Sequence, residues 1–153
     1  MEEELSHFFG NYEPALKLLA MPRDTNSAGD ISGGWIMTQV DTAGAIVASQ
    51  VARCRVVTIA VTNFLFKQPV FVGDLVSCYG KIEKIGRTSI TVHVEVCVQR
   101  NRFEDRCIKV TEATVVYVAV DEERRPREIP QNLKDMYIEK ENSAKITERG
   151  RRT

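Results

Sequence analysis

The spacing of apolar residues changes once along this chain, near residue 54. From Trp35 to Arg53 the sequence reads WIMTQVDTAGAIVASQVAR, with no proline, and Ile36, Val40, Ala43, Val47 and Val51 recur at helical spacing. Small or apolar residues fill much of the remaining circumference, which predicts a central, buried helix. Beyond it the period becomes two. Residues 55–66, 75–85, 90–99 and 107–120 read as long strands, and the third is the clearest: Ile90, Val92, Val94, Val96 and Val98 alternate with Thr91, His93, Glu95, Cys97 and Gln99. Pro69 with Gly73-Asp74, then Gly86-Arg87, then NRFED at 101–105 punctuate these runs, and hairpin-type links of this kind predict an antiparallel meander. Ahead of the helix, PALKLLAM (14–21) fits a strand or a single helical turn, followed by the polar loop RDTNSAGDISGG. One helix and four long strands are best satisfied in an α+β domain whose antiparallel sheet curves around the helix and buries it.

The 153 residues suit one domain, expected over 1–130, with a charge-dense tail over 131–153 that is either a short amphipathic helix or disordered. Apolar content is 43% and charged content 27%, ordinary for a globular protein. Lys plus Arg (21) equals Asp plus Glu (21), and this balance argues against nucleic acid as a partner. No run approaches 18 apolar residues, so no membrane-spanning helix is expected. The acidic start, MEEELSHFFGNYEP, lacks a signal-peptide pattern, and a cytoplasmic location is expected. Cys54, Cys78, Cys97 and Cys107 form no C-x-x-C pair and are expected to be buried free thiols in a reducing compartment. With two histidines, neither at ligand spacing from a cysteine, no metal site is expected.

Three groups of residues are candidates for chemistry. Asp41 is a lone carboxylate about two turns into the helix, and Gly44, Ala45 and Ala48 share its face. It either points to solvent or is a general base sheltered beside a cleft that the small face lets a ligand approach. The loop Asn26–Gly34 is either plain turn chemistry or, through the free N–H groups after Gly33-Gly34, an oxyanion site at a helix start. Gly86-Arg87-Thr88-Ser89, together with ERRPR at 123–127, reads as a solvated turn and loop or as a phosphate-binding pair. His93 falls on the polar side of its strand and is taken as structural or exposed. No Ser lies in a G-x-S-x-G setting, which argues against a serine-nucleophile hydrolase.

The stretch LLAMPRDTNSAGDISGGWIMTQVDTAGAIVA resembles the YciA-type acyl-CoA thioesterases, which are themselves similar to the cytosolic long-chain acyl-CoA hydrolases. RVVTIAV, KQPVFVGD, GRTS, TEATVVYVAVD and RRPREIP continue the resemblance in the same order, over roughly residues 14–130. The resemblance implies a hotdog fold and hydrolysis of acyl-CoA to a free carboxylic acid and coenzyme A, with no cofactor other than the coenzyme A carried by the substrate. It implies a homodimer, with three dimers assembled as a hexamer and each active site shared between two chains. It also implies Asp41 as the catalytic carboxylate, acting as base or nucleophile, and Asn26 as the second catalytic position, supplied by the partner. Gly33, Gly34 and Trp35 would lie against the thioester, with Gly34 at the oxyanion. Gly86, Arg87, Thr88, Ser89, Arg125 and Arg127 would line the coenzyme A side. The chain departs from the family pattern at Ser32, over Thr62–Leu65 and at Gln68. The rival readings are a non-catalytic acyl-CoA-binding sensor module and a hydratase or dehydratase. Hydratases and dehydratases commonly pair a His with an acid, and neither His7 nor His93 lies in the loop–helix motif.

Overall fold

The helical period becomes a 20-residue helix, α1 (Gly33–Ala52). Its buried residues, Ile36, Val40, Ala43, Gly44, Ala48 and Ala52, follow the three-to-four spacing that forms one continuous stripe. Arg53 ends the helix by turning left-handed (φ 54°), and its N–H closes onto the Ser49 carbonyl at 2.9 Å. The computed structural model describes residues 13–101, 103 and 105–150. The acidic start, with His7, lies outside them, as does the end of the tail.

The alternating runs become β2 (Arg55–Phe66), β3 (Leu75–Ile85), β4 (Ser89–Gln99) and β5 (Ile108–Val120), and part of PALKLLAM becomes the short β1 (Leu16–Leu19). All pairings are antiparallel, in the order β1-β3-β4-β5-β2. The meander expectation therefore holds only for β3-β4-β5. β2 does not pair with the strand that follows it; it lies against β5 at the sheet's edge. Residues 67–74 form no tight hairpin: Pro69 interrupts them, and the Val70 carbonyl accepts the Ile31 N–H at 3.2 Å, which ties the link to the loop before α1.

The concave face of the sheet holds the core. Ile90, Val92, Val94, Val96 and Val98 of β4 are buried together with Ala113, Val115, Tyr117 and Ala119 of β5. The helix presses hardest on β3 at Gly80, where a Cβ would come within 2.7 Å of Val47. Away from the sheet the helix is uncovered in the protomer: Met37, Thr38, Thr42 and Gln50 are exposed, where sequence spacing predicted burial nearly all round. The tail residues form a second helix, α2 (Gln131–Gly150), whose Tyr137 packs against the core. Among the described residues, no helix is long and apolar enough to cross a membrane.

The convex face carries an ionic cluster. Glu95 and Glu112 face each other across β4 and β5, with the Lys109 ammonium paired to both and Lys67 paired to Glu112. His93 Nε2 lies 3.1 Å from Glu95 Oε1, and its Nδ1 is 3.7 Å from Glu83. His93, Glu95 and Glu112 are close enough together to hold a cation; the ammonium of Lys109 already pairs with both carboxylates. The free-thiol expectation fails for half of the cysteines. Cys97, in β4, and Cys107, just before β5, form a disulfide, while Cys54 and Cys78 are free. The hairpin fold-back brings the pair's Cα atoms to 5.6 Å, a proximity invisible in their ten-residue spacing. Burial pushes the Cys78 thiol up to about 12, which makes it inert.

Candidate active site

Asp41 lies eight residues past the start of α1, about 12 Å along its axis. It is half-buried, neither solvated outright nor lost in the core. Two donors from the sheet reach it. The Thr58 hydroxyl donates to Asp41 Oδ1 at 2.6 Å, and the Tyr117 hydroxyl donates to the Asp41 carbonyl at 2.8 Å and lies 3.3 Å from Oδ1. Thr58 and Tyr117 are register partners across β2 and β5, so both side chains point to the same face of the sheet. A register shift directly after Thr58 displaces Ile59, the kind of local kink that re-aims side chains near sites. Among the described residues, no hydrogen bond falls on Oδ2, which leaves that oxygen for a ligand. Thr58 escaped the sequence reading because it reaches Asp41 across 17 residues, through a strand register that no local pattern encodes. Gly44 also has a different neighbour from the one expected. What approaches it closely is the Tyr117 ring, 3.0 Å from where a Cβ would sit.

The loop before α1 is held by Asn26. Its side-chain oxygen accepts the Ala28 and Asp30 N–H groups at 2.9 and 3.2 Å, and its own N–H donates to the Asp30 carbonyl at 2.7 Å. The carboxamide oxygen is thus committed to the loop, and the NH2 is the group left to meet a ligand. Ser32 begins the helix in extended conformation without a side-chain cap, so its hydroxyl leaves the first-turn N–H groups unfilled. Gly34 is exposed, and Trp35 is half-buried against the core. A cavity of about 320 Å³ opens beside this helix start, with Gly33, Ile36, Phe66, Lys67 and Gln68 among its walls.

The third group gathers at the other end of β2. The turn Gly86–Ser89 closes with the Gly86 N–H on the Ser89 carbonyl at 2.7 Å. The segment after β5 folds back onto it: the Ala119 N–H donates to the Thr88 carbonyl, Arg127 to the Ala119 carbonyl and Ile129 to the Arg87 carbonyl. The two stretches read separately in the sequence therefore form one surface, on which Arg87, Arg125 and Arg127 are exposed. The Arg125 guanidinium is partly engaged by Asp121 (3.2 Å) and Glu123 (3.3 Å). Ile90, next to this turn, is the register partner of Tyr117, which puts the basic surface on the Asp41 side of the protomer. Asn26 is remote from both. No hydrogen bond joins it to Asp41 among the described residues, and its loop meets the far end of β2 near Phe66 and Val70.

A long helix against a curved five-stranded antiparallel sheet of this order, bearing a half-sheltered carboxylate, defines a hotdog-fold protein. Residues 28–103 match the family described as the thioesterase superfamily. The acyl-CoA thioester hydrolase YciA of Salmonella typhimurium is 48% identical over 120 residues, 77% of this chain and 90% of that one. A hexameric hotdog fold thioesterase of Campylobacter jejuni superposes with a TM-score of 0.77 at 49% identity, covering 82% of this chain and 96% of that one. A hexameric thioesterase of Yersinia pestis gives 0.73 at 48% identity, with coverage of 78% and 97%. The chain belongs to the thioesterase superfamily, among the YciA-type acyl-CoA thioester hydrolases.

Proposed function

We propose that this chain hydrolyses acyl-CoA to a free carboxylic acid and coenzyme A, in sites built from two protomers of a homodimer, with three such dimers forming a hexamer. The observation that carries this reading is the Asp41 carboxylate: Thr58 fixes one oxygen, the other is open, and both lie beside β2, the edge strand. The edge is long and apolar, with Ile59, Val61, Leu65 and Phe66 exposed there and Met37 exposed on α1. An unpaired edge of this kind is a template for a second chain. A partner seated there would bring its own Asn26 loop toward Asp41. The hexameric relatives support the higher assembly.

In this site Asp41 Oδ2 removes a proton from a water as its oxygen bonds to the thioester carbonyl carbon. The carbonyl oxygen, turning anionic, takes hydrogen bonds from the N–H groups of the partner's Gly34 and the partner's Trp35 and from the partner's Asn26 NH2. Collapse breaks the C–S bond, and the coenzyme A thiolate takes up the proton held on Asp41. Direct attack by the carboxylate, forming an anhydride that water then opens, uses the same groups. Gly86, Arg87, Thr88, Ser89, Arg125 and Arg127 bind the coenzyme A phosphates, Arg87 and Arg127 with the freer guanidinium groups. This chemistry needs neither metal nor cofactor. The test is a panel of acyl-CoAs of increasing length, followed by free thiol release. Asp41→Ala is expected to lower kcat by at least about 100-fold on every substrate the wild type accepts. Wild-type turnover in that variant would sink the mechanism. Tight binding without turnover in the wild type would make the chain a sensor module instead.

A further inference from the structure

The Tyr117 hydroxyl is the most deeply buried polar group beside Asp41, and the reaction above gives it no part. Tyr117 is fully buried in β5, facing α1. Its hydroxyl donates to the Asp41 carbonyl at 2.8 Å. The phenol therefore meets α1 at the turn that carries Asp41. The same hydroxyl lies 3.3 Å from Asp41 Oδ1, the oxygen that Thr58 holds at 2.6 Å. Both sheet donors thus fall on one side of the carboxylate.

Gly44 makes this possible. A Cβ there would fall within the van der Waals envelope of the Tyr117 hydroxyl and 3.0 Å from two of its ring carbons. Glycine weakens a helix interior by about 1 kcal/mol relative to alanine, so its presence mid-helix needs a local reason. Admission of the phenol is that reason. Burial first, and the Asp41 carboxylate second, hold the phenol's proton far more tightly than usual, so Tyr117 remains a neutral donor at every working pH.

We infer that Tyr117 is a positioning residue for the Asp41 carboxylate, and that Gly44 is glycine so that the phenol can reach its place. The inference rests on the reading of Asp41 as the reacting carboxylate. Tyr117 anchors the backbone at residue 41 while Thr58 sets the side chain, and together they aim Oδ2 at the substrate.

The test is steady-state kinetics on an acyl-CoA that the wild type turns over, with thermal melts of every variant. Tyr117→Phe keeps the ring and removes the donor; kcat is expected to fall at least about fivefold while KM stays within about twofold, because the residue does not touch substrate. Gly44→Ala displaces the same hydroxyl and is expected to give the same split. The double variant is expected to fall no further than the worse single one, since both remove one interaction. Val115→Ala, on the same buried face of β5 but with no hydrogen-bonding side chain, serves as the packing control and is expected to lower the melting temperature while keeping kcat. Full kcat in Tyr117→Phe, additive losses in the double variant, or an equal kcat loss in Val115→Ala each overturns the inference while leaving Asp41 in place. Full kcat in Asp41→Asn would overturn both.

Discussion

A carboxylate proposed to take a proton from water must be held in one orientation, and at Asp41 the holding groups come from the sheet. Thr58 supplies the shorter contact, 2.6 Å to Oδ1. Thr58→Val removes that donor at nearly constant volume and is expected to lower kcat about tenfold, whereas Thr58→Ser is expected to keep most of it. Comparing kcat for the two variants checks this; equal activity in Thr58→Val would leave the hydroxyl without a role. Asp41 stood out in the sequence because one acid on a small-residue helix face is chemically odd. Thr58 and Tyr117 did not, because hydroxyls within strands are ordinary there, and only the pairing of β2 with β5 brings them to α1. Gly44 was legible as a close-approach position, but its partner was hidden for the same reason.

At the scale of elements, periodicity located α1 and the four long strands to within two residues at each end, since each buries one face and repeats accordingly. The position of β2 was not legible. Its own alternation says which face is buried but not which neighbour it takes, and the 67–74 link carries hairpin-turn residues although Val70 is tied to Ile31 instead. The convex-face cluster was equally hidden. There the His93 pKa is raised above its ordinary 6.5, chiefly by its hydrogen bond to Glu95 against the opposing effect of burial. Glu112 is held below 4.5 chiefly by its hydrogen bond to Lys109. For Glu95 burial is the largest effect and acts upward, but its hydrogen bond to His93 and the nearby Lys109 charge outweigh it and hold the carboxyl below 4.5 as well. The signs follow from linkage. The His93 contribution to stability is complete below about pH 6.5 and is lost as pH rises through the raised value. The contribution of the two glutamates is present above 4.5 and is lost as pH falls through their lowered values. The network should therefore stabilise most between these limits. The melting temperature of His93→Gln is expected to lie below that of the wild type near pH 6, with the gap closing as pH rises above 6.5. A pH-independent gap would show that the charge on His93 is not what matters.

For the whole molecule, the fold was legible from the order of one buried helix and a long curved sheet. The site was legible only as scattered parts, because the proposed site draws its groups from two protomers. α1 carries the Gly33-Gly34 start and, eight residues on, Asp41 at a fixed separation, and in the proposed dimer the first would serve one site and the second the other. Under the two-chain arrangement, each protomer is half of two sites, and damage to the halves sorts by chain. An Asp41→Ala chain and an Asn26→Ala chain are each expected to be inactive as homodimers. Unfolded together and refolded as a random mixture, they should form mixed dimers in which one site unites both lesions and the other has neither. Activity should then return to about a quarter of the wild-type value per chain, because half the dimers are mixed and half their sites are whole. Two inactive proteins would thus complement each other in a test tube, and a mixture that stayed inactive would show that Asn26 and Asp41 serve the same chain.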